Sequence, residues 1–141
     1  MSTLHQTALA VIDAYNAWDI EKIMAVRAPE CIHEMQPKTL GIPPMDNTAY
    51  EAWQKSIMPA FRNFKVEVLE VIEDKGDNKV AIWAKSSAET PAGPYGNEYM
   101  IVMHMNETGD KLVLLREFAD SAYSHEFFPR LREKLGGKKE E

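Results

Sequence analysis

Apolar side chains recur at helical spacing through the first 60 residues of the chain. Residues 2–18 form one amphipathic stripe and predict a first helix. Asp19 has the character of an N-cap and predicts a second, short helix from Ile20 to about Arg27. A capping box at Thr48 predicts a third helix. Between the second and third helices, the segment Cys31–Met35 is predicted to form a short strand.

From Phe64 the pattern changes to alternation with a period of two, which is typical of half-buried strands. Four further strands are predicted, which run from Phe64 to a turn at 75–78 and over Lys79–Glu89, Glu98–Asn106 and Lys111–Ala119. A phase slip at Leu69 predicts a β-bulge, which bends a strand. The strand around residues 99–105 is apolar on both faces and is predicted to be central. A last helix is expected over Pro129–Leu135, because proline is best tolerated in a first helical turn.

This order of elements, α-α-β-α-β-β-β-β with a short terminal helix, predicts an α+β fold. A strongly bent antiparallel sheet wrapped around the N-terminal helices would form a cone with an apolar interior. Such an interior is a natural pocket for a small molecule. The expected organisation is a single domain over residues 1–135 and a disordered tail over residues 136–141.

Composition narrows the classes of function. The chain has 141 residues, of which 45% are hydrophobic and 27% charged, as in an ordinary globular domain. Sixteen basic and 22 acidic residues give a net charge of −6, which disfavours nucleic acid as a partner. The single cysteine, Cys31, excludes an intramolecular disulfide and a cysteine-rich zinc site. Without a signal-peptide pattern or a membrane-spanning stretch, a cytoplasmic protein is expected.

The strongest candidate for chemistry is an acidic residue on the last predicted strand. The sequence contains no glycine-rich phosphate loop, nucleophile elbow or paired-histidine motif. Glu117 continues an alternating set with Val113 and Leu115. If that set faces the cone, Glu117 is a carboxylate in an apolar pocket and can act as a general base or acid. If instead the face with Leu114 and Phe118 is buried, Glu117 pairs with a surface cation.

Three more polar residues lie in or beside apolar strands. His33 shares a strand face with Cys31 and Met35, and it is either a proton shuttle or a core histidine bonded to a backbone carbonyl. His104, on the central strand, allows the same two interpretations. Asp120 is either the cap of the turn that follows the last strand or a second carboxylate at the cavity mouth. The histidines lack regular ligand spacing, and no metal site is predicted.

Aromatic residues recur on two predicted helices, as Tyr15 and Trp18 on the first and Tyr50 and Trp53 on the third. Such stripes are usually core, but buried tyrosine hydroxyls need partners, and a ligand carbonyl could be one. Arg27 could stabilise a helix C-terminus or bind an anion. The chain also has eight methionines, and we expect Met103 on the central strand to help line a pocket, because methionine adapts to bulky ligands.

Several segments, taken in order, carry a resemblance to a known family. They are Ala25–His33, Leu40–Pro43 ahead of Asn47 and Tyr50, Gly93–Tyr99 and Arg116–Ser121. Together, over about residues 3–135, they resemble the SnoaL-like group of the nuclear-transport-factor-2-like superfamily. The nearer likeness is to small fungal members from polyketide and meroterpenoid pathways.

The resemblance implies a cone-shaped α+β barrel of the cystatin-like kind, often a homodimer packed through its sheets. It also implies cofactor-free catalysis by acidic and histidine residues, including aldol-type cyclisation, isomerisation, dehydration and epoxide hydrolysis. Carried over to this chain, the last-strand acidic position falls on Glu117 or Asp120. The first-strand polar position falls on His33, and the helix aromatics fall on Tyr15 and Tyr50.

The prediction from sequence is therefore a cofactor-independent isomerase or cyclase that acts on a hydrophobic polyketide- or meroterpenoid-type molecule. Glu117, His33 and Asp120 are the predicted catalytic residues. The predicted substrate-binding residues are Tyr15, Trp18, Arg27, Tyr50, Trp53, Met103 and His104. The alternatives are a dehydratase or epoxide hydrolase with the same pocket, or a domain that only binds a small ligand or dimerises, because fold similarity does not establish catalysis.

Overall fold

The computed structural model describes residues 2–136, and four α-helices lie within that range. They are α1 (Thr3–Ala17), α2 (Ile20–Ala25), α3 (Asn47–Ile57) and α4 (Ser121–Lys134). Each begins after a serine or aspartate whose side chain accepts a hydrogen bond from a backbone N–H of the first turn. The cap of α3 is Asp46, so the prediction of a capping box at Thr48 is wrong by two residues.

The strands of the described chain form one curved, unclosed sheet. They are β1 (Arg27–Gln36), β2 (Arg62–Asp74), β3 (Lys79–Thr90), β4 (Gly93–Met105) and β5 (Leu112–Ala119). The strand order is β1-β5-β4-β3-β2, with β1 parallel to β5 and every other pair antiparallel. The predicted α+β class and the central position of β4 are confirmed.

The predicted bulge in β2 is also confirmed. The register between β2 and β3 shifts between Val68 and Glu70, so Leu69 is the extra residue. A bulge bends a strand and increases its twist, which contributes to the curvature of the sheet around the helices. The inner side of this curve is the side covered by α1, which packs against β2 and β3.

Two strands begin at least four residues earlier than predicted. β1 starts at Arg27 instead of Cys31, because Arg27 already pairs with Leu112 of β5 and the pairing resumes at Ile32 after an irregularity. Pro29 is tolerated there, since β1 is an edge strand. β4 starts at Gly93 instead of Glu98, because its pairing with β3 continues down to the turn after Thr90.

The last helix differs most from the prediction. It begins at Ser121, capped by Asp120, and contains Pro129 in its interior. Phe127 and Leu131 are buried in a cluster with Phe61, and this tertiary packing outweighs the local preference of proline for a helix start. Of the tail predicted to be disordered over residues 136–141, Gly136 continues the turn after α4, where its N–H donates to the Glu133 carbonyl oxygen. Residues 137–141 lie outside the described residues.

Candidate active site

A cavity of about 420 Å³ lies between the helices and the inner face of the sheet. Its walls are mostly apolar and rich in aromatic side chains, and they include the fully buried Met103. Leu40, Ile42 and Trp53 line the cavity and are also exposed to solvent, so they mark its mouth. A few polar side chains face this apolar space, as is typical of small-molecule sites.

Glu117 and His33 form a hydrogen-bonded pair at the cavity wall. Parallel pairing of β1 with β5 sets Met35 beside Glu117 and His33 beside Leu115. The His33 Nε2 atom lies 3.0 Å from Glu117 Oε1. The His33 side chain is only 1% exposed, whereas that of Glu117 is 24% exposed. Both side chains line the cavity, and the imidazole is the more deeply buried of the two.

The face of β5 that lines the cavity is the one that carries Glu117. Leu115, Glu117 and Ala119 line it, whereas Phe118 is exposed on the opposite side of the sheet. Glu117 is thus a carboxylate in an apolar pocket, and the alternative of a surface ion pair does not hold. His33 is bonded through its ring to side chains rather than to a backbone carbonyl.

The surroundings of His33 keep its ring neutral. Burial lowers the pKa of His33, and the positive charge of Arg27 lowers it further, against the opposing effect of Glu117. An ionised carboxylate can only accept hydrogen bonds, so a neutral His33 carries its proton on Nε2 and donates it to Glu117. The site therefore holds a neutral N–H donor against a carboxylate.

Two helix tyrosines form a hydroxyl chain beside this pair. The hydroxyls of Tyr15 and Tyr50 are hydrogen-bonded, and the Tyr50 hydroxyl donates to Gln54 Oε1 at 3.2 Å. The single Tyr50 proton goes to Gln54, so the proton between the two tyrosines comes from Tyr15. Burial raises the pKa of Tyr15 to about 12 and that of Tyr50 well above its ordinary value, so both hydroxyls are protonated. The Tyr50 ring stacks on His33 with centroids 4.2 Å apart.

A second tyrosine pair on β4 lines the cavity and was missed in the sequence. The Tyr99 hydroxyl lies 2.7 Å from Ser86 Oγ and 3.4 Å from the Tyr95 hydroxyl. Asn97 Nδ2 donates to the Tyr95 hydroxyl at 3.0 Å. Burial raises the pKa of both tyrosines. The sequence does show side chains with polar groups at alternate positions, Tyr95, Asn97 and Tyr99, which would share one face of a strand. They were not recognised as a set because the strand was predicted to start only at Glu98.

The remaining predicted site residues separate into two groups. Tyr15, Trp18, Tyr50, Trp53 and Met103 line the cavity together with Glu117 and His33. Trp18 is held by its indole N–H, which donates to the Met58 carbonyl.

Asp120, His104 and Arg27 do not line the cavity. Asp120 is the exposed cap of α4, where its carboxylate accepts from the backbone N–H of Tyr123 at 3.1 Å. His104 lies on the outer face of β4, because its neighbours Met103 and Met105 point inward. Arg27 is buried behind His33.

The described residues contain neither a metal-binding cluster nor a membrane-spanning helix. Within residues 2–136, no three His, Cys, Asp or Glu side chains are grouped closely enough to hold a metal ion. None of the helices described has the length and apolar character needed to cross a membrane.

No protein-family model matches the chain, but proteins of similar sequence occur in fungi. Core atranone cluster protein 11 from Stachybotrys chlorohalonatus is 29% identical over 132 residues, which is 94% of this chain and 98% of that protein. The monooxygenase AacuP from Aspergillus aculeatus is 27% identical over 129 residues, 92% of this chain and 89% of the relative.

Solved structures decide the fold. BvnE pinacolase from Penicillium brevicompactum matches with a TM-score of 0.88 and 29% identity, over 94% of this chain and 96% of the other. A protein described as a SnoaL-like polyketide cyclase from Shewanella denitrificans matches with a TM-score of 0.75 and 9% identity, over 89% and 96% of the two chains. The chain has the SnoaL-like fold. The predicted resemblance to SnoaL-like proteins of fungal secondary metabolism is confirmed.

Proposed function

We propose that this SnoaL-like chain is a cofactor-independent isomerase or cyclase that acts by proton transfer on a hydrophobic, oxygenated molecule of polyketide or meroterpenoid type. The observation that carries the proposal is the Glu117 carboxylate, held by neutral His33 and facing an apolar cavity. A carboxylate removed from bulk water and fixed by one hydrogen bond is suited to general base catalysis.

The cavity supports a small hydrophobic substrate. Its volume of about 420 Å³ falls within the range of known small-molecule sites, about 300–1,000 Å³. The cavity surface is mostly apolar, many of the lining side chains are aromatic or methionine, and the polar groups include Glu117 and the two tyrosine pairs. A ring system with a small number of oxygen functions matches that distribution.

The proposed reaction begins when Glu117 removes a proton from a carbon next to a carbonyl group. The electrons of the broken C–H bond form an enolate, and Glu117 becomes a carboxylic acid. In an isomerisation, Glu117 returns the proton to a different carbon. In a cyclisation, the enolate carbon attacks a second carbonyl, and Glu117 protonates the alkoxide that results. Because Glu117 faces the cavity and neutral His33 gives its Nε2 proton to the hydrogen bond with that carboxylate, we assign both transfers to Glu117.

The enolate oxygen needs a hydrogen-bond donor, and the second tyrosine pair is the better candidate. The Tyr15 and Tyr50 protons are both committed within their own chain, which ends on Gln54. On β4, Asn97 donates to Tyr95, and Ser86 can donate to Tyr99, which leaves a tyrosine proton available to a ligand. We therefore propose Tyr99, with Tyr95 beside it, as the donor to the developing negative charge.

Replacement of Glu117 tests the proposal. The purified protein is incubated in D₂O with pathway intermediates and with a panel of polycyclic ketones, and products are followed by mass spectrometry. We expect Glu117→Gln to lower turnover by about 10²–10⁴-fold, because the proton acceptor is gone. Glu34→Gln removes the same charge from the outer face of β1, where Glu34 pairs with Arg116, and it serves as the matched control. A folded Glu117→Gln variant with full activity would contradict the proposal.

Alternatives predict different outcomes of the same assay. Dehydration or epoxide opening would also begin at Glu117, and the product mass separates them. Several relatives carry monooxygenase names, so ¹⁸O₂ incorporation into the product would indicate oxygen chemistry in the cavity. Binding of the panel without turnover, measured by quenching of Trp18 and Trp53 fluorescence, would indicate a ligand-binding module.

We also propose that the protein is a homodimer packed through the outer face of its sheet. Trp83 and Phe118 are each 41% exposed there, and Leu69 and Ile72 are exposed as well. An apolar patch of this kind marks an association surface. The cytoplasmic location expected from the sequence stays a prediction.

A further inference from the structure

A buried arginine lies directly behind the candidate active site. Arg27 is only 6% exposed and does not line the cavity. Its Nε atom donates to Asn47 Oδ1 at 2.8 Å, and Asn47 Nδ2 in turn donates to the carbonyl oxygen of Ala28 at 2.9 Å. The guanidinium is therefore fixed in place. It also lies over the Tyr50 ring, 4.4 Å from the ring centroid.

Burial of this cation is costly, and its local contacts do not offset the cost fully. Within residues 2–136, the Nη2 atom of Arg27 is buried and has no hydrogen-bond partner. Burial of a charged group without complete hydrogen bonding destabilises a protein. A buried charge with an unmet hydrogen bond points to a role other than stability.

The remaining contact of Arg27 is with His33. Arg27 Nη1 lies 3.5 Å from His33 Nδ1, and His33 Nε2 lies 3.0 Å from Glu117 Oε1. A guanidinium can only donate hydrogen bonds, so it requires an unprotonated Nδ1. An ionised carboxylate can only accept, so it requires a protonated Nε2. One neutral tautomer of His33 satisfies both neighbours.

The groups around His33 differ in how they affect a second proton on the ring. From its own strand, Arg27 opposes a positive charge on His33. From β5, Glu117 favours it. From α3, the neutral Tyr50 ring stacks on the imidazole and brings no charge. Because the ring is 1% exposed, loss of solvation is the largest influence against a positive charge on His33, and Arg27 adds to it.

We propose that Arg27 is a positioning residue that holds His33 as the neutral Nε2–H tautomer, so that Glu117 is the sole proton acceptor of the pair. Without this cation, His33 can bind a proton at Nδ1 and become an imidazolium that forms an ion pair with Glu117. The carboxylate would then be a weaker base. This inference rests on the proposed role of Glu117, but the tautomer can be measured without any substrate.

Nitrogen NMR of ¹⁵N-histidine-labelled protein tests the inference. In the wild-type protein we expect an unprotonated Nδ1 and a protonated Nε2 on His33 between pH 6 and 8. Arg27→Met should raise the pKa of His33, because a nearby like charge is removed. The lower limb of the activity–pH profile should move to higher pH with it, and activity should recover above that limb.

Arg116→Met is the matched control, because Arg116 pairs with Glu34 on the outer face and does not contact His33. It should leave the His33 resonances and the pH profile unchanged. Arg27→Lys keeps the charge but loses the planar donor geometry, so we expect a small pKa change and a mixture of tautomers. Asn47→Ala should weaken the tautomer preference less than Arg27→Met does.

Two results would overturn the inference, namely a protonated Nδ1 on neutral His33 in the wild-type protein or unchanged His33 resonances in Arg27→Met. If Arg27→Met does not fold, the wild-type spectrum and Arg27→Lys still decide. If Glu117→Gln stays active while wild-type His33 shows the predicted tautomer, the proposed base is refuted and the tautomer assignment is not. If Glu117→Gln is inactive while wild-type His33 shows the other tautomer, only the role of Arg27 is refuted.

Discussion

The two faces of the sheet hold charged pairs in very different surroundings. On β5, Glu117 points inward and is bonded to His33, which is 1% exposed. The preceding residue, Arg116, points outward and pairs with Glu34 at 2.9 Å, where both side chains are partly exposed. Water and salt screen the outer pair, so it contributes little to stability. The inner pair is shielded, so its neighbours decide where the proton resides.

Polar groups follow the same division. On the inner face the hydroxyls of Tyr95 and Tyr99 are bonded to each other and to neighbouring side chains. On the outer face the large residues are apolar and exposed, with Trp83 and Phe118 the main examples. The inner face thus presents hydroxyl groups to the cavity, and the outer face presents the apolar side chains of the proposed dimer surface. Alternation along each strand lets adjacent residues serve these two purposes.

The largest expected difference between the faces is in stability. Leu115→Ala should lower the free energy of unfolding by about 2–5 kcal/mol, because Leu115 is buried in the core. Its neighbour Leu114 is half-buried on the outer face, and Leu114→Ala should cost about 1 kcal/mol. Urea denaturation measures both. Equal losses would show that the outer face is also covered in solution.

A smaller effect is expected on turnover. Tyr99→Phe should lower kcat by about 10²-fold, because it removes the proposed donor to the enolate oxygen. Tyr123→Phe is the control, since the Tyr123 hydroxyl accepts from the backbone N–H of Gly96 and Tyr123 does not line the cavity. The same assay as for Glu117 applies. Unchanged kcat in folded Tyr99→Phe would move the donor role to another hydroxyl.

The pH dependence of stability should also distinguish the faces. Because burial lowers the pKa of His33, the unfolded chain binds more protons than the folded chain once the pH falls below about 6.5. The His33 contribution is therefore complete above that pH and is lost as the pH falls. Urea unfolding from pH 8 to pH 5 should show a flatter profile for His33→Gln than for the wild-type protein.

His104→Gln provides the comparison from the outer face. Partial burial and the charge of Lys79 lower the pKa of His104 as well, but this side chain is more exposed. Its removal should flatten the profile less than removal of His33 does. A larger change for His104 would contradict the assignment of the shielded proton to the inner face.

The smallest effect on the fold is expected at the exposed apolar residues on the outer face of the sheet. Trp83→Lys should halve the molar mass measured by light scattering and leave the unfolding free energy of the monomer nearly unchanged, because a charge at an apolar contact opposes association. Leu135→Lys changes another exposed apolar residue, at the end of α4, and should keep the dimer. A monomeric wild-type protein would remove the basis of this prediction.

Much of the fold was predictable because local pattern and tertiary packing agree in it. The helical stripe of α1, the alternation from Phe64 onward and the phase slip at Leu69 each have a direct structural counterpart. The exceptions are places where tertiary contacts outweigh a proline signal. β1 extends past Pro29 by pairing with β5, and α4 contains Pro129 because Phe127 and Leu131, on either side of it, are buried.

The site was less predictable, for a physical reason. Both faces of β5 carry leucines, so alternation alone could not say whether Glu117 or Phe118 points inward. The strand order resolves this, and it is not contained in the periodicity of one strand. Tyr95 and Asn97 were missed because the start of β4 depends on its pairing with β3. Arg27 was assigned to a helix end, although it begins a strand and is buried behind His33.

The parallel pairing of β1 with β5 also has a kinetic consequence. His33 and Glu117 are 84 positions apart in the chain, and no local turn can bring them together. Contacts between distant segments require closure of long loops, which slows folding relative to proteins built from local contacts. A ribosome must have released almost the entire chain before the two residues can meet. Helices α1 to α3 and the β2–β3–β4 meander can form first, and the His33–Glu117 pair is expected to assemble last.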